Sequence, residues 1–400
     1  MWQIEITNTQ TTSIMKPFIS ETIKYIGVDD TDLDLFESQY IIPNGVSYNS
    51  YAIIDDKVAI MDSVDSRKCE EWLANVEEAL QVRTPDYLVV QHMEPDHAGS
   101  LAAIAARYPE MTIVASERAV KMIPQFFHEC DLSARTLAVK EGDTLALGLH
   151  TLQFFMAPMV HWPEVMVTYE QSEKILFSAD GFGKFGALCH DEEWACEARR
   201  YYFNICGKYG QPVQALLKKA AQLDIAQICP LHGPVLSENL GYYISLYDTW
   251  SKYEPEVKGV FVAHASIHGG TAVAANSFAE MLRERGVKVS VADLCRDDMA
   301  EAVEDAFKYD RLVVAAASYD ANVFPPMHDF LHHLQLKGYQ KRRVGIIENG
   351  SWAPTAGRVM RGMLEQMKEV EIVEPMVTII SRMKPENQEA MSALADALTK

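Results

Sequence analysis

From residue 257 to the C-terminus the sequence alternates strand and helix without interruption, and nothing else in the chain restricts the fold as much. VKGVFVAHA, VKVSVADL, RLVVAAAS, RRVGIIENG and VEIVEPM are apolar runs of strand length. Between them lie TAVAANSFAEMLRERG, MAEAVEDAFKY, PPMHDFLHHLQL and TAGRVMRGMLEQM, with a last helix ending in ALADALTK. Parallel strands need a crossover of a dozen or more residues, usually a helix, and these spacers have that length. Five strands spaced by helices describe a doubly wound parallel sheet, which binds ligands at the carboxyl ends of its strands.

The first 250 or so residues read as a strand-rich α/β layer structure. YAIIDD and KVAIMDS are short apolar strands meeting at a tight Asp-Asp turn, which predicts an antiparallel pair. SRKCEEWLANVEEAL has helical periodicity, with Ser66 as the expected N-cap. YLVVQ, MTIVAS, HTLQFFMA, VMVTYE and EKILFSAD are further strand candidates, with helices near 97–107 and 210–223. Four hundred residues exceed one typical core, and the pattern changes around KYEPEVK. Two domains are therefore expected, 1–253 and 257–400.

A formal charge of -20 argues against nucleic acid or an anionic membrane as a partner. No apolar run approaches a membrane span, and MWQIEITNTQ lacks the basic-then-apolar layout of a signal peptide, so a cytoplasmic location is expected. The seven cysteines include no C-x-x-C pair, which excludes an appended rubredoxin-type or zinc-ribbon module. They read as reduced thiols.

Residues 91–100, QHMEPDHAGS, follow directly on the YLVVQ strand. His92 and Glu94, two apart on extended backbone, can face one way, and Asp96 and His97 come from the next turn. His161 in FFMAPMVHWPE, Asp180 at the end of KILFSAD, and His232 in LHGP also follow probable strands. Carboxylates among imidazoles suit two metal ions, because an oxygen ligand can bridge them and balance their charge.

HMEPDH followed in order by His161, Asp180 and His232 resembles the metallo-β-lactamase fold, and Glu94 in place of a histidine resembles its flavodiiron branch. The resemblance extends over nearly the whole chain. It implies an N-terminal αββα sandwich followed by a flavodoxin-like sheet. It also implies one iron held by His92, Glu94, His161 and Asp180 and another by Asp96, His97, Asp180 and His232, with Asp180 bridging. His161 and Trp162 would shape the pocket. A more anionic ligand set suits iron cycling between ferrous and ferric states, since negative charge favours the higher state.

Three loops of the second half resemble those that hold FMN in flavodoxins. The first is Ser266, Ile267, His268, Gly269, Gly270 and Thr271, opening a helix whose N-terminus can cradle a phosphate. The second carries Ser318, Tyr319, Asp320 and Asn322. The third carries Asn349, Gly350, Ser351 and Trp352, the indole being placed to stack on the flavin. The resemblance implies reduction of dioxygen to water, of nitric oxide to nitrous oxide, or both. It also implies a rubredoxin-like or other small redox protein as donor, and a head-to-tail homodimer or dimer of dimers. A dinuclear zinc hydrolase with an accessory flavodoxin domain is the rival reading, and an electron carrier with a vestigial metal site is a second. Lys337, Lys341, Arg342 and Arg343 read as a solvated helix-to-strand turn, with docking of an acidic redox partner as the functional alternative.

Overall fold

The computed structural model describes residues 17–400, and the N-terminal stretch MWQIEITNTQ lies outside the described residues. Two sheets occupy the first part of the chain. One has six strands in the order Ile23–Tyr25, Tyr51–Ile54, Val58–Met61, Tyr87–Val90, Thr112–Ser116 and Thr136–Val139. The other runs Thr144–Ala146, Thr151–Met156, Met166–Glu170, Ile175–Phe177 and Gln227–Cys229. The antiparallel pair expected from YAIIDD and KVAIMDS is present, with Tyr51 opposite Met61 and Ile54 opposite Val58.

The sheets face one another through Tyr51, Ile53, Met61 and Val89 on one side and Phe154, Met166, Ile175 and Phe177 on the other. Each fully buried Phe side chain removes enough apolar surface from water to stabilise the sandwich by about 1.5–3 kcal/mol. The outer faces are covered by helices, among them Cys69–Leu80, Leu101–Arg107 and Glu117–Phe126. The first of these starts differently from the sequence expectation. Ser66 opens a short 3-10 turn, and Asp65 is its cap, its side chain accepting from the Arg67 N–H.

In the second half, five parallel strands stand in the order Val289–Asp293, Val257–Ala265, Tyr309–Tyr319, Arg342–Asn349 and Val370–Ile379. The order reverses between the Val257–Ala265 and Tyr309–Tyr319 strands, the place where such sheets open a crevice. Among the described residues, no helix is long and apolar enough to cross a membrane.

Helix Trp194–Ile205 packs against helix Met299–Lys308 and joins the two halves. Arg199 bonds Glu256 and donates to Glu304 at 2.8 Å, and Arg200 pairs with Asp298 at 2.9 Å and Glu301 at 3.2 Å. Part of the basic cluster belongs to the same seam, which corrects the expectation of a solvated turn for Arg342. Arg342 is 2% exposed and donates to the carbonyls of Tyr253, Phe307, Tyr309 and Gln340. Lys337 bonds the Asn204 carbonyl, Lys341 donates to the Lys252 carbonyl, and Arg343 pairs with Glu371. Arg342 is thus withdrawn from solvent, whereas Lys341 remains exposed and Arg343 pairs at the surface.

Candidate functional site

Strand Tyr87–Val90 ends with its chain held by Asp62. The Asp62 carboxylate accepts from the Gln91 backbone N–H at 2.7 Å and from the Gln91 side chain at 2.8 Å. Two residues on, His92 and Glu94 project, and the short helix Pro95–Ala98 carries Asp96 and His97. The Ser63 hydroxyl and N–H both donate to the His97 carbonyl, fixing this turn to the neighbouring strand end. His161, Asp180 and His232 arrive from ends of strands in the facing sheet. All seven expected metal-site residues thus meet at one end of the sandwich.

They meet as two groups, His92–Glu94–His161–Asp180 and Asp96–His97–His232. In the first, His161 Nε2 is 2.9 Å from Glu94 Oε2 and 3.2 Å from Asp180 Oδ2, and His92 Nε2 lies 3.3 Å from that same oxygen. In the second, His97 Nε2 lies 3.0 Å from His232 Nε2, 3.2 Å from Asp96 Oδ2 and 3.2 Å from Asp180 Oδ1. Asp180 therefore gives one oxygen to each group. A cation about 2.1 Å from each donor spaces adjacent donors about 3.0–3.4 Å apart in octahedral or tetrahedral geometry. These contacts fall in or close to that range.

Charge and burial agree with metal binding. Both carboxylate oxygens of Asp96 and both of Asp180 are buried, and among the described residues they have no hydrogen-bond partner beyond the histidine nitrogens of the cluster. Burial alone would raise the Asp180 carboxyl, but His92, His161 and His97 hold it well below the usual range. Burial would lower the His97 imidazole, but Asp96 and Asp180 outweigh it and push it up to about 10. The pocket thus draws positive charge onto its imidazoles, and metal cations satisfy the same demand by displacing the protons. Glu94, Asp96, Asp180 and the buried Glu164 make four carboxylates, matched by two divalent ions. Glu94 is the donor left partly exposed, which opens the cluster on that side.

Around the donors, the Trp162 ring meets His92 edge-on at 5.2 Å, while Phe36, Tyr48 and Tyr201 enclose His232. Sequence reasoning missed three supporting groups. Glu164 reaches His92 Nδ1 at 2.8 Å, the Ser47 carbonyl lies 2.7 Å from His232 Nδ1, and Asp62 clamps Gln91. An acid three residues after His161 in an aromatic-rich stretch was the available signal for Glu164.

A third group, Cys196, Glu301 and Glu304, also has metal-compatible spacing. Its carboxylates already face Arg199 and Arg200, so it belongs to the ion-pair seam.

The second half carries a cavity of about 670 Å³ at the carboxyl ends of its strands. Ser266, Ile267, His268, Gly270 and Thr271 line it from the first loop, Ser318, Tyr319 and Asp320 from the second, and Asn349, Gly350, Ser351 and Trp352 from the third. The Ser266 hydroxyl is buried without a partner among the described residues and Gly270 begins helix Gly270–Glu284, so this end offers a donor and helix N–H groups to a phosphate. Gly269 holds φ +83°, and a Cβ on Gly270 would lie 2.7 Å from the Ser381 carbonyl, so both positions need glycine.

Two expected flavin residues stand off the lining. Gly269 caps the helix, and Asn322 pairs with Tyr319 in a short antiparallel turn, its side chain accepting from the Val323 N–H. The Ser318 hydroxyl accepts from the Thr355 and Ala356 N–H groups, so it fixes a loop as well as lining the cavity. Sequence reasoning missed Thr355, Ser381 and Arg382; the last two form part of a fourth loop, after strand Val370–Ile379.

Residues 46–233 match the family model described as ODP family beta lactamase. Diflavin flavoprotein A 1 of Synechocystis is 33% identical over 296 residues, covering 72% of this chain and 51% of that protein. The anaerobic nitric oxide reductase flavorubredoxin of Aliivibrio salmonicida is 28% identical over 347 residues, 84% of this chain and 69% of that one. The rubredoxin oxygen:oxidoreductase of Desulfovibrio gigas superposes with a TM-score of 0.89 at 24% identity, over 96% of this chain and 98% of that one, and at this identity the likeness bears on fold.

Proposed function

We infer that this chain, which belongs to the flavodiiron protein family, is an oxidoreductase that reduces dioxygen to water, nitric oxide to nitrous oxide, or both. The observation that carries this reading is the division of the Asp180 carboxylate between two sets of donors, with Glu94 completing the first set. Two irons, one held by His92, Glu94, His161 and Asp180 and the other by Asp96, His97, His232 and Asp180, would supply electrons and open positions for the gas, with FMN relaying further electrons.

The protein's part is to hold and orient. Three ligating carboxylates offset the charge of two cations and favour their oxidised state. The Glu164 carboxylate and the Ser47 carbonyl fix the far nitrogens of His92 and His232, which turns both Nε2 atoms inward. Trp162, Phe36 and Tyr201 keep bulk water from all but the Glu94 side. In the flavin half, the first loop and Arg382 would hold the phosphate, and Tyr319 and Trp352 would flank the ring.

The finer parts of the reading are a division at residues 253–256, a cytoplasmic location, a head-to-tail dimer in which each flavin meets the partner's irons, and a rubredoxin-like donor. The test is steady-state consumption of each gas by iron-loaded protein with a reduced donor. Turnover of at least one gas that requires both iron and FMN is expected. A preparation that binds zinc in preference to iron and consumes neither gas would overturn the reading in favour of a hydrolase.

A further inference from the structure

Within the diiron reading, we propose that Glu164 is a positioning residue that fixes His92 as a metal ligand and lends its charge to one of the two subsites only. Its Oε1 lies 2.8 Å from His92 Nδ1 and accepts from the Met93 N–H at 3.0 Å. One carboxylate oxygen thus holds both the ring and the backbone that follows it. Glu164 is 1% exposed, its Oε2 is buried without a partner among the described residues, and its own carbonyl accepts from Ser116 Oγ at 2.7 Å. A buried carboxylate with one unpaired oxygen is costly unless a nearby positive charge offsets it. With Nδ1–H donating to Glu164, His92 offers its Nε2 lone pair to the metal, and the metal's charge offsets the carboxylate through the ring.

Among the described residues, no carboxylate bonds the far nitrogen of His97 or His232 in the neighbouring subsite. The Nδ1 of His232 meets the neutral Ser47 carbonyl, and the Nδ1 of His97 has no partner among the described residues. The His92–Glu94–His161 subsite therefore has Glu94 directly and Glu164 through the imidazole, against Asp96 on the other side, while the buried Asp62 carboxylate acts on His97 and His92 alike. A carboxylate behind a ligating histidine raises its basicity, and its loss typically weakens metal binding about 10–100-fold. The metal beside His92 is thus held more tightly and oxidised at lower potential than its neighbour.

The test compares the full-length parent with Glu164→Gln and Glu164→Ala. Glutamine keeps an acceptor for His92 and Met93 while removing the charge, so it separates electrostatics from packing and guards against a misfolded alanine variant. Affinity is read by chelator competition, and the two potentials by a redox titration of the iron-loaded protein followed by electron paramagnetic resonance. In Glu164→Gln two irons stay bound, one potential rises and the other holds. In Glu164→Ala, affinity at one subsite falls about 10–100-fold. Unchanged affinities and potentials in Glu164→Gln overturn the proposal and leave Glu164 as packing. Cobalt(II) binding keeps this test separate from the diiron reading, because it needs no redox chemistry. If the parent prefers zinc to iron, a tenfold or greater loss of cobalt affinity in Glu164→Ala still supports the role of Glu164, and no loss overturns it.

Discussion

At the metal cluster, six of the seven donors are 8% exposed or less, whereas at the flavin cavity Trp352 is 92% exposed and Tyr319 45%. Both sites stand at the carboxyl ends of strands. The cluster draws its donors from two facing sheets and locks several from behind with hydrogen bonds. The cavity draws on four loops of one sheet, and much of what it offers is backbone and ring faces. Metal ions need directional donors held before they arrive, because each ligand atom must fall within a few tenths of an ångström. A large planar cofactor instead covers the surfaces that hold it, so its site can wait partly open.

The sharpest way to break this contrast is Asp180→Asn. The variant loses the charge shared by both subsites, so iron should fall from two per chain to one or none. Gas reduction should drop by more than about 100-fold, beyond what loss of a supporting residue causes, while FMN content stays that of the parent. Metal analysis beside flavin absorbance checks both halves of the expectation, and joint loss of FMN would mean that the two sites are not independent.

Next in size is Arg342→Ala, which asks whether the looseness of the flavin half stops at its loops. Leaving the buried carbonyls of Phe307 and Tyr309 without their donor should cost about 3 kcal/mol or more in urea unfolding. FMN and iron content in the absence of urea should not change. Trp352→Ala should weaken FMN binding by about 0.5–1.5 kcal/mol through lost ring contact, with iron unaffected; equal FMN affinity would show that the indole does not touch the flavin. The smallest effect is expected of Arg382→Ala, an exposed cation beside the cavity, at about 0.2–1 kcal/mol in FMN affinity and less at high salt.

The same contrast explains what was legible in the sequence. His92, Glu94, Asp96, His97, His161, Asp180 and His232 were readable because metal chemistry demands rare side chains and strand ends place them. Glu164, Asp62 and Ser47 were not, since each acts through a partner distant in sequence. The alternating strands and helices of the second half were plain, yet Ser381 and Arg382 follow a strand with no glycine-rich loop to flag them. Helix Trp194–Ile205 went unread because ten of its twelve residues are buried, so no polar face marks its period. Helix Glu117–Phe126 was also missed, and Pro124 inside it argues against a helix on sequence grounds. Arg342 misled most, because four basic residues in seven look like surface until the carbonyls that absorb its charge are in view.

Those carbonyls have a mechanical consequence. The segment between the halves is welded at several points: Arg342 grips the carbonyl of Tyr253, Lys341 that of Lys252, and Arg199 bonds Glu256. A joint held on both flanks resists a swing of one half toward the other. These bonds set the separation between flavin cavity and metal cluster within a chain, as a mount sets the gap between two electrodes.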